Sequence, residues 1–155
     1  MEIRHDLTEQ EISDFFMSDP RLAYLSLSDE DLHFMYNNKA YKVKENSAYG
    51  GVYENDKLIL VFKWELFTSI TITFHMYLLY DLHSTGVLSK IKDKLIDFFR
   101  ESTSFQKALV PIPSCCTHVI KASEKMGFVH EATIKDSATW RKELVDILYY
   151  SIKLK

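Results

Sequence analysis

Three groupings of residues in this 155-residue chain could do chemistry. His75 stands in the alternating run Ile70-Thr71-Ile72-Thr73-Phe74-His75-Met76-Tyr77-Leu78, and an imidazole with an ordinary pKa of about 6.5 exchanges protons at neutral pH. Directly after it, Leu79-Tyr80-Asp81-Leu82-His83-Ser84-Thr85-Gly86-Val87-Leu88 joins that run to a helical pattern. A glycine-bearing loop that opens a helix turns unsatisfied N–H groups outward, and these with the helix dipole favour an anion. A simple strand-to-helix turn capped by Thr85 is the alternative reading. The third grouping is Cys115-Cys116-Thr117-His118 at a second helix start, where a lowered thiol pKa makes a Cys–His acyl-enzyme conceivable. Helix neighbours two apart do not face each other, so two small buried residues opening a helix, with His118 exposed, describe the grouping better. No second Cys/His pair stands at ligand spacing, and no metal is expected. Adjacent cysteines form no disulfide framework, which fits a reducing compartment.

These residues need elements to hold them. Residues 1–4 read as a strand, and Thr8-Glu9-Gln10-Glu11 has the capping-box pattern ahead of Ile12, Phe15 and Phe16 at helical spacing. That helix runs to about residue 18, where Asp19-Pro20 stops it. Ser28-Asp29-Glu30-Asp31 starts a second helix with Leu32, Met35 and Tyr36 on its apolar side. Gly50-Gly51-Val52-Tyr53 and residues 57–66 pair across the turn Glu54-Asn55-Asp56. Residues 69–79 make the clearest strand, with Ile70, Ile72, Phe74, Met76 and Leu78 on an apolar face and Thr71, Thr73, His75 and Tyr77 on a polar one. Val87, Leu88, Ile91, Leu95, Phe98 and Phe99 then recur at helical spacing to about residue 101. A strand at 107–112 carries Pro111 and is followed by Pro113; proline cannot donate to a ladder and sits at an edge or where pairing ends. Ser114 is the expected N-cap of a helix to Met126, Gly127 its left-handed terminus and Phe128 the accompanying apolar contact. Strands at 129–134 and 144–152, joined through 136–142, close a single α/β domain with a mixed sheet.

This order of elements and two local patterns together resemble the GNAT family of N-acetyltransferases, which move an acetyl group from acetyl-CoA to an amine. One pattern is the fourth strand running into His83-Ser84-Thr85-Gly86-Val87-Leu88, where the family places Gln/Arg-x-x-Gly-x-Gly/Ala. The other, from Cys116 to Gly127-Phe128, is similar to the family's Asn-to-Tyr helix ending in Gly-Phe. The resemblance covers roughly residues 50–155. It implies a mixed, mostly antiparallel sheet flanked by helices, with the fourth and fifth strands splayed into a cleft. It implies acetyl-CoA as cosubstrate, contacted by Leu78, Leu79, Tyr80, His83, Ser84, Thr85, Gly86, Val87 and Cys116, with the pyrophosphate at residues 82–87. Aminolysis of a thioester needs a base for the amine, donors for the carbonyl oxygen and an acid for the departing thiolate. His75 is the first candidate base and Glu65 the second; Tyr149, or Tyr150 beside it, takes the place of the acid. The chain departs from the family at His83, Leu88, Cys116 and Ser123, which stand where Gln/Arg, a second small residue, Asn and Tyr are usual. Those departures also fit a second class, a GNAT-fold binding or structural protein that has lost catalysis. Divergent members of that kind resemble small proteins of tailed phages, some of them virion-associated.

Composition bounds the rest. With 46% apolar and 14% aromatic residues the chain has ample area for a core, which excludes a disordered segment. A formal net charge of −3 and no lysine-rich tail argue against nucleic acid or an anionic membrane as partner. The apolar run at 58–62 is too short to span a bilayer, and the acidic start lacks a signal peptide's basic and apolar regions. The expected location is therefore the cytoplasm, or host cytoplasm or virion for a phage-encoded chain. Residues 1–86 hold 14 Asp and Glu against 7 Lys and Arg, while residues 87–155 hold 8 against 12. An anionic cosubstrate belongs with the later half and a cationic amine acceptor, small molecule or protein, with the earlier one. A homodimer is compatible with these features. Only four glycines occur, and Gly86 alone falls in the expected phosphate loop.

Overall fold

Capping signals place the first helices. In the computed structural model, which describes residues 1–155, the Thr8 side chain accepts from the N–H of Glu11 and the Glu11 carboxylate accepts from the N–H of Thr8, opening α1 (Glu9–Ser18). Asp19 closes α1 and at once caps α2 (Pro20–Ser26), whose Pro20 occupies the first turn. The chain thus has three N-terminal helices where two were expected. Asp-Pro ends one helix, but proline's fixed φ and missing N–H also suit the first position of the next. Ser28 caps α3 (Asp29–Asn38) through the N–H of Asp31.

The strands are β1 (Glu2–Arg4), β2 (Ala48–Glu54), β3 (Lys57–Leu66), β4 (Thr71–Leu78), β5 (Lys107–Pro113), β6 (Val129–Trp140) and β7 (Glu143–Lys153). They form one seven-stranded sheet in the order β1-β2-β3-β4-β5-β7-β6, with β4 and β5 parallel and the other recorded pairings antiparallel. Between β4 and β5 come a 3₁₀ turn (Tyr80–Leu82) and α4 (Val87–Ser102); α5 (Thr117–Lys125) lies between β5 and β6. This is the mixed, mostly antiparallel sheet with helices that the sequence led us to expect.

The chain packs as two compact units. The first comprises Met1–Trp64 and His75–Leu88. Its core gathers Ile12, Phe15 and Phe16 of α1, Leu22 of α2, Leu32 and Met35 of α3 with Tyr41, Tyr49, Val61 and Tyr77. Phe16 is fully buried, its ring 4.4 Å from that of Tyr41 and 5.0 Å from that of Tyr77. Ser13 gives an oxygen to the N–H of Tyr41, and burial pushes the Tyr41 hydroxyl far above its ordinary pKa. The β2–β3 turn places Asn55 and Asp56 at φ of 51° and 63°, the left-handed pair that a two-residue hairpin requires. Gly50 answers a different need: a Cβ there would stand 2.3 Å from the Phe62 ring and 2.8 Å from the Arg4 carbonyl oxygen.

The second unit comprises Glu65–Phe74 and Ser89–Lys155. Ile91, Leu95 and Phe99 of α4 are buried as the helical stripe predicts, and Phe99 meets Phe74 edge-on at 5.3 Å. The helix α5 ends in a Schellman motif, with the Phe128 N–H on the Ser123 carbonyl, the Gly127 N–H on that of Glu124 and φ +89° at Gly127. Its start differs from expectation. Ser114 is not the cap; Cys116 occupies that position and makes no side-chain capping bond, because Pro113, Ser114 and Cys115 are used in a turn closed by the Cys116 N–H on the Pro113 carbonyl. The closing hairpin is longer than expected as well. Its turn is Arg141-Lys142, at φ of 52° and 66°, and Asp136, at φ 48°, belongs to a bulge inside β6 whose N–H is held by the Asp146 carboxylate.

Candidate functional site

The parallel ladder that links β4 to β5 is short. It pairs Thr71 with Lys107, Ile72 with Ala108 and Thr73 with Leu109, whereas β5 pairs with β7 along its whole length to Pro113 and Ile147. The sheet order therefore makes β5 an interior strand, and its prolines, Pro111 and Pro113, fall after the last residue paired to β4. They belong to the second of the two settings expected for strand prolines, the place where pairing ends.

Beyond Thr73, β4 carries the candidate base. The face read as polar is not uniformly so, since Tyr77 is buried against Phe16 in the core formed with the N-terminal helices. A tyrosine supplies an apolar body for such a surface while its periodicity alone looks polar. His75 lies on the same face, half-buried, its ring nearly parallel to that of Tyr77 with centroids 6.5 Å apart. The imidazole therefore lies on the face of the strand that Tyr77 buries against the N-terminal helices.

The loop that follows is tied down mainly by its own backbone. Leu79 donates to the Ile59 carbonyl at 3.1 Å; Leu82, His83 and Thr85 donate to Leu79, Tyr80 and Leu82 at 3.0, 3.1 and 3.2 Å. Those bonds leave the N–H groups of Ser84, Gly86 and Val87 outside the loop's own network. The Thr85 hydroxyl bonds the Leu82 carbonyl at 2.8 Å, so it closes the turn rather than capping α4 as the alternative reading had it. Nε2 of His83 lies 2.9 Å from the Leu78 carbonyl oxygen, which turns the imidazole back on the strand end. Gly86 has φ +72°, and a Cβ built on it meets nothing within 4 Å. Its glycine is required by backbone conformation, and it leaves the backbone open to approach. The 16-residue helix α4 starts at Val87 with no acidic residue in its first turn, so the positive end of its dipole has no side-chain counter-charge there. Asp81 is the loop's one acid and is exposed.

The first unit thus brings together His75, Leu78, Leu79, Tyr80, His83, Ser84, Thr85, Gly86 and Val87 in one continuous strand, loop and helix start. Glu65, Cys116 and Tyr149 belong to the second unit. Cys116 is buried, and burial first, then Cys115, pushes its thiol up to about 12. It is a neutral thiol at neutral pH, which removes the Cys–His acyl-enzyme reading for this cysteine. Tyr149 is half-buried on β7 between Pro111 and Ala132 in the ladders, while the Tyr150 hydroxyl is committed to Glu124 at 3.1 Å. Of the two tyrosines, only Tyr149 keeps its hydroxyl out of such a bond. No three His, Cys, Asp or Glu side chains gather as metal ligands would.

One residue of this region is invisible to local sequence reading. Asp19 accepts from the Tyr80 N–H at 2.7 Å across 61 positions, while also capping α2. Its N-cap role could have been read from Asp19-Pro20; the long-range bond could not.

No protein-family model and no curated protein matches this sequence. Solved structures do match, over nearly whole chains. A chimera of the Vibrio cholerae spermidine N-acetyltransferase SpeG and hSSAT superposes with a TM-score of 0.74 at 14% identity, covering 99% of this chain and 97% of that one. The ribosomal-protein-alanine N-acetyltransferase of Brucella melitensis gives 0.73 at 15% identity, covering 99% of both chains. The protein smu.2055 of Streptococcus mutans UA159 gives 0.71 at 16% identity, covering all of both. The chain therefore has the GNAT fold, in a form whose sequence has diverged widely from these structures.

Proposed function

We propose that this protein is an acetyl-CoA-dependent N-acetyltransferase that transfers the acetyl group directly to an amine. The observation that carries this reading is the GNAT fold over the whole chain together with a loop, residues 79–86, that runs into an uncompensated helix N-terminus. The pyrophosphate of CoA takes the N–H groups of Ser84, Gly86 and Val87, and the pantetheine arm adds to the backbone of β4 beyond Thr73. The amine nitrogen attacks the thioester carbonyl carbon and forms the C–N bond as the C–S bond breaks. His75 removes the proton that the nitrogen loses, and the CoA sulfur departs as thiolate and takes up a proton. Glu65 and Tyr149, the other base and the acid that the family resemblance implies, enter as variants to be tested.

The acid-rich first 86 residues favour a cationic acceptor. A panel of amines that includes spermidine, an alanine-terminated peptide and phosphinothricin spans the acceptors named for structures of the same fold. The first measurement is thermal unfolding with and without acetyl-CoA. At a hundredfold over Kd the ligand adds about 2.7 kcal/mol, a rise of roughly 5–10 °C for a domain of this size. Release of the CoA thiol on adding an amine, reduced in His75→Gln, then supports transfer. An unchanged melting temperature refutes the reading; a shift with no thiol release from any amine, and no effect of the His75 variant, leaves a CoA-binding module.

A further inference from the structure

Asp19 stands at the junction of α1 and α2, and its two carboxylate oxygens serve two different parts of the first unit. Oδ1 accepts from the Leu22 N–H at 3.1 Å and caps α2. Oδ2 accepts from the Tyr80 N–H at 2.7 Å, the short end of the range for a charge-assisted bond. Tyr80 is the first residue after β4 and Leu79, so this bond fixes the point where the strand becomes the loop. Its ring is held in turn: the Arg21 guanidinium lies 5.3 Å from the ring centroid, and the His83 ring lies 5.3 Å away on tilted planes. His83 closes the chain of contacts on the Leu78 carbonyl at 2.9 Å. Asp19 at the cap and Arg21 in the first turn of α2 therefore grip the loop through a single tyrosine.

We infer that Asp19 is a positioning residue for the CoA loop, holding residues 79–86 in the form that presents Ser84, Gly86 and Val87 to an anion. The inference rests on the proposed function for its ligand, and on hydrogen bonds alone for its mechanics. It couples the helices that carry the acidic, acceptor-side surface to the loop on the donor side through one carboxylate. Loss of the carboxylate's second oxygen leaves α2 capped and removes this outside tie from a loop otherwise held mainly by its own backbone.

Asp19→Asn makes that separation. Asparagine caps a helix as well as aspartate does, but its NH2 group stands in place of one carboxylate oxygen, and a donor there cannot accept the second N–H. Tyr80→Pro removes the donor instead. Tyr80 is the first residue of a 3₁₀ turn, a position that tolerates proline, and Leu79 already has the extended ψ of 136° that a residue before proline prefers. Tyr80→Ala, which keeps the N–H and loses the ring, reports the Arg21 and His83 contacts separately.

The experiment is hydrogen exchange of the ligand-free proteins, followed by titration with acetyl-CoA and, for an accepted amine, steady-state kinetics. Asp19→Asn and Tyr80→Pro should each speed exchange of the hydrogen-bonded amides of Leu79, Leu82, His83 and Thr85 by about tenfold, the scale of one lost hydrogen bond, with exchange in α2 unchanged for Asp19→Asn. Asp19→Asn should raise the Kd and KM for acetyl-CoA by about tenfold while kcat at saturation is retained, and adding it to Tyr80→Pro should cost nothing beyond what Tyr80→Pro costs alone. Unchanged loop exchange in Asp19→Asn overturns the inference. So does a loosened loop with an unchanged Kd. If the unaltered protein binds no acetyl-CoA, it is the proposed function that fails, and the exchange result still decides whether Asp19 holds the loop.

Discussion

Replacing Gly86 by alanine separates backbone conformation from ligand approach, and Gly127→Ala is its internal control. Both glycines have left-handed φ, +72° and +89°. Neither substitution creates a clash, because a Cβ at Gly86 meets nothing within 4 Å and one at Gly127 meets only Ile152 Cδ1 at 3.8 Å. The cost is then conformational: about 1–2 kcal/mol for an L-residue in the left-handed region, offset by about 0.4–1 kcal/mol from the stiffer unfolded chain. A net loss of about 1 kcal/mol lowers the melting temperature by roughly 2–4 °C in each variant. The two part company when acetyl-CoA is added. Gly127 terminates α5, so its variant keeps the full ligand-induced rise. The Gly86 variant places a methyl group and a strained backbone beside the N–H groups assigned to the pyrophosphate. A tenfold loss of affinity there removes about 1.4 kcal/mol, or roughly 3–5 °C, from that rise. Gly86→Asn, with a residue that tolerates the left-handed region, should recover stability without recovering affinity. Equal ligand-induced rises in the two alanine variants would refute the placement of CoA at Gly86. A Gly86→Ala protein as stable as the original would refute the conformational argument itself.

Gly50→Ala should be far more damaging than Gly51→Ala. The added Cβ at Gly50 meets the Phe62 ring at 2.3 Å and the Arg4 carbonyl oxygen, fixed in the β1–β2 ladder, at 2.8 Å, whereas Gly51 meets the mobile end of Leu58 at 2.6 Å. A loss of about 3 kcal/mol, or roughly 6–12 °C, is expected at Gly50 in a thermal melt. Thr8→Ala should cost about 1 kcal/mol by chemical denaturation. The Thr8 N–H and hydroxyl, with the Tyr53 hydroxyl, hold the Glu11 carboxyl below its ordinary range, so its contribution is present above that range and disappears as pH falls through the lowered value. Glu11→Gln should flatten that acid limb of stability against pH. Of the two thiols, exposed Cys115 should react with a thiol reagent in the folded protein at pH about 8 and Cys116 only on unfolding, since burial holds it up to about 12. His75→Gln should lower kcat/KM by about 10²- to 10⁴-fold, with Glu65→Gln leaving most of the rate in place.

Much of the fold is written locally. The Thr8–Glu11 capping box, the Ser28 cap, the Gly127 terminus with Phe128 and the stripe of Ile91, Leu95 and Phe99 all appear in the structure where the sequence puts them. Each depends on residues within a turn or two of one another, so spacing alone carries the signal. The misreadings are of two kinds. Asp19-Pro20 and residues 136–142 each do two things where local spacing shows one: a stop that is also a start, and a turn signal that is a bulge followed by the true turn at Arg141-Lys142. Tyr77, buried though on the face read as polar, and Cys115, exposed where a buried residue is expected, differ for another reason, because their setting is decided by what packs over them. Of the candidate site, the continuous segment from His75 to Val87 was legible, since strand, loop and helix follow one another along the chain.

By itself the sequence determined the order of elements, most of their ends, and the position of a lone glycine ahead of α4. These follow from short-range sterics and from donors and acceptors a few residues apart. Only the tertiary structure decided that the His75 face of β4 is shared with a buried tyrosine and that Cys116 is a neutral thiol. It alone showed that a carboxylate 61 positions away receives the N–H of Tyr80. Burial and long-range hydrogen bonds are properties of whatever the fold brings alongside a residue, and a neighbour so distant along the chain leaves no periodicity by which to read it.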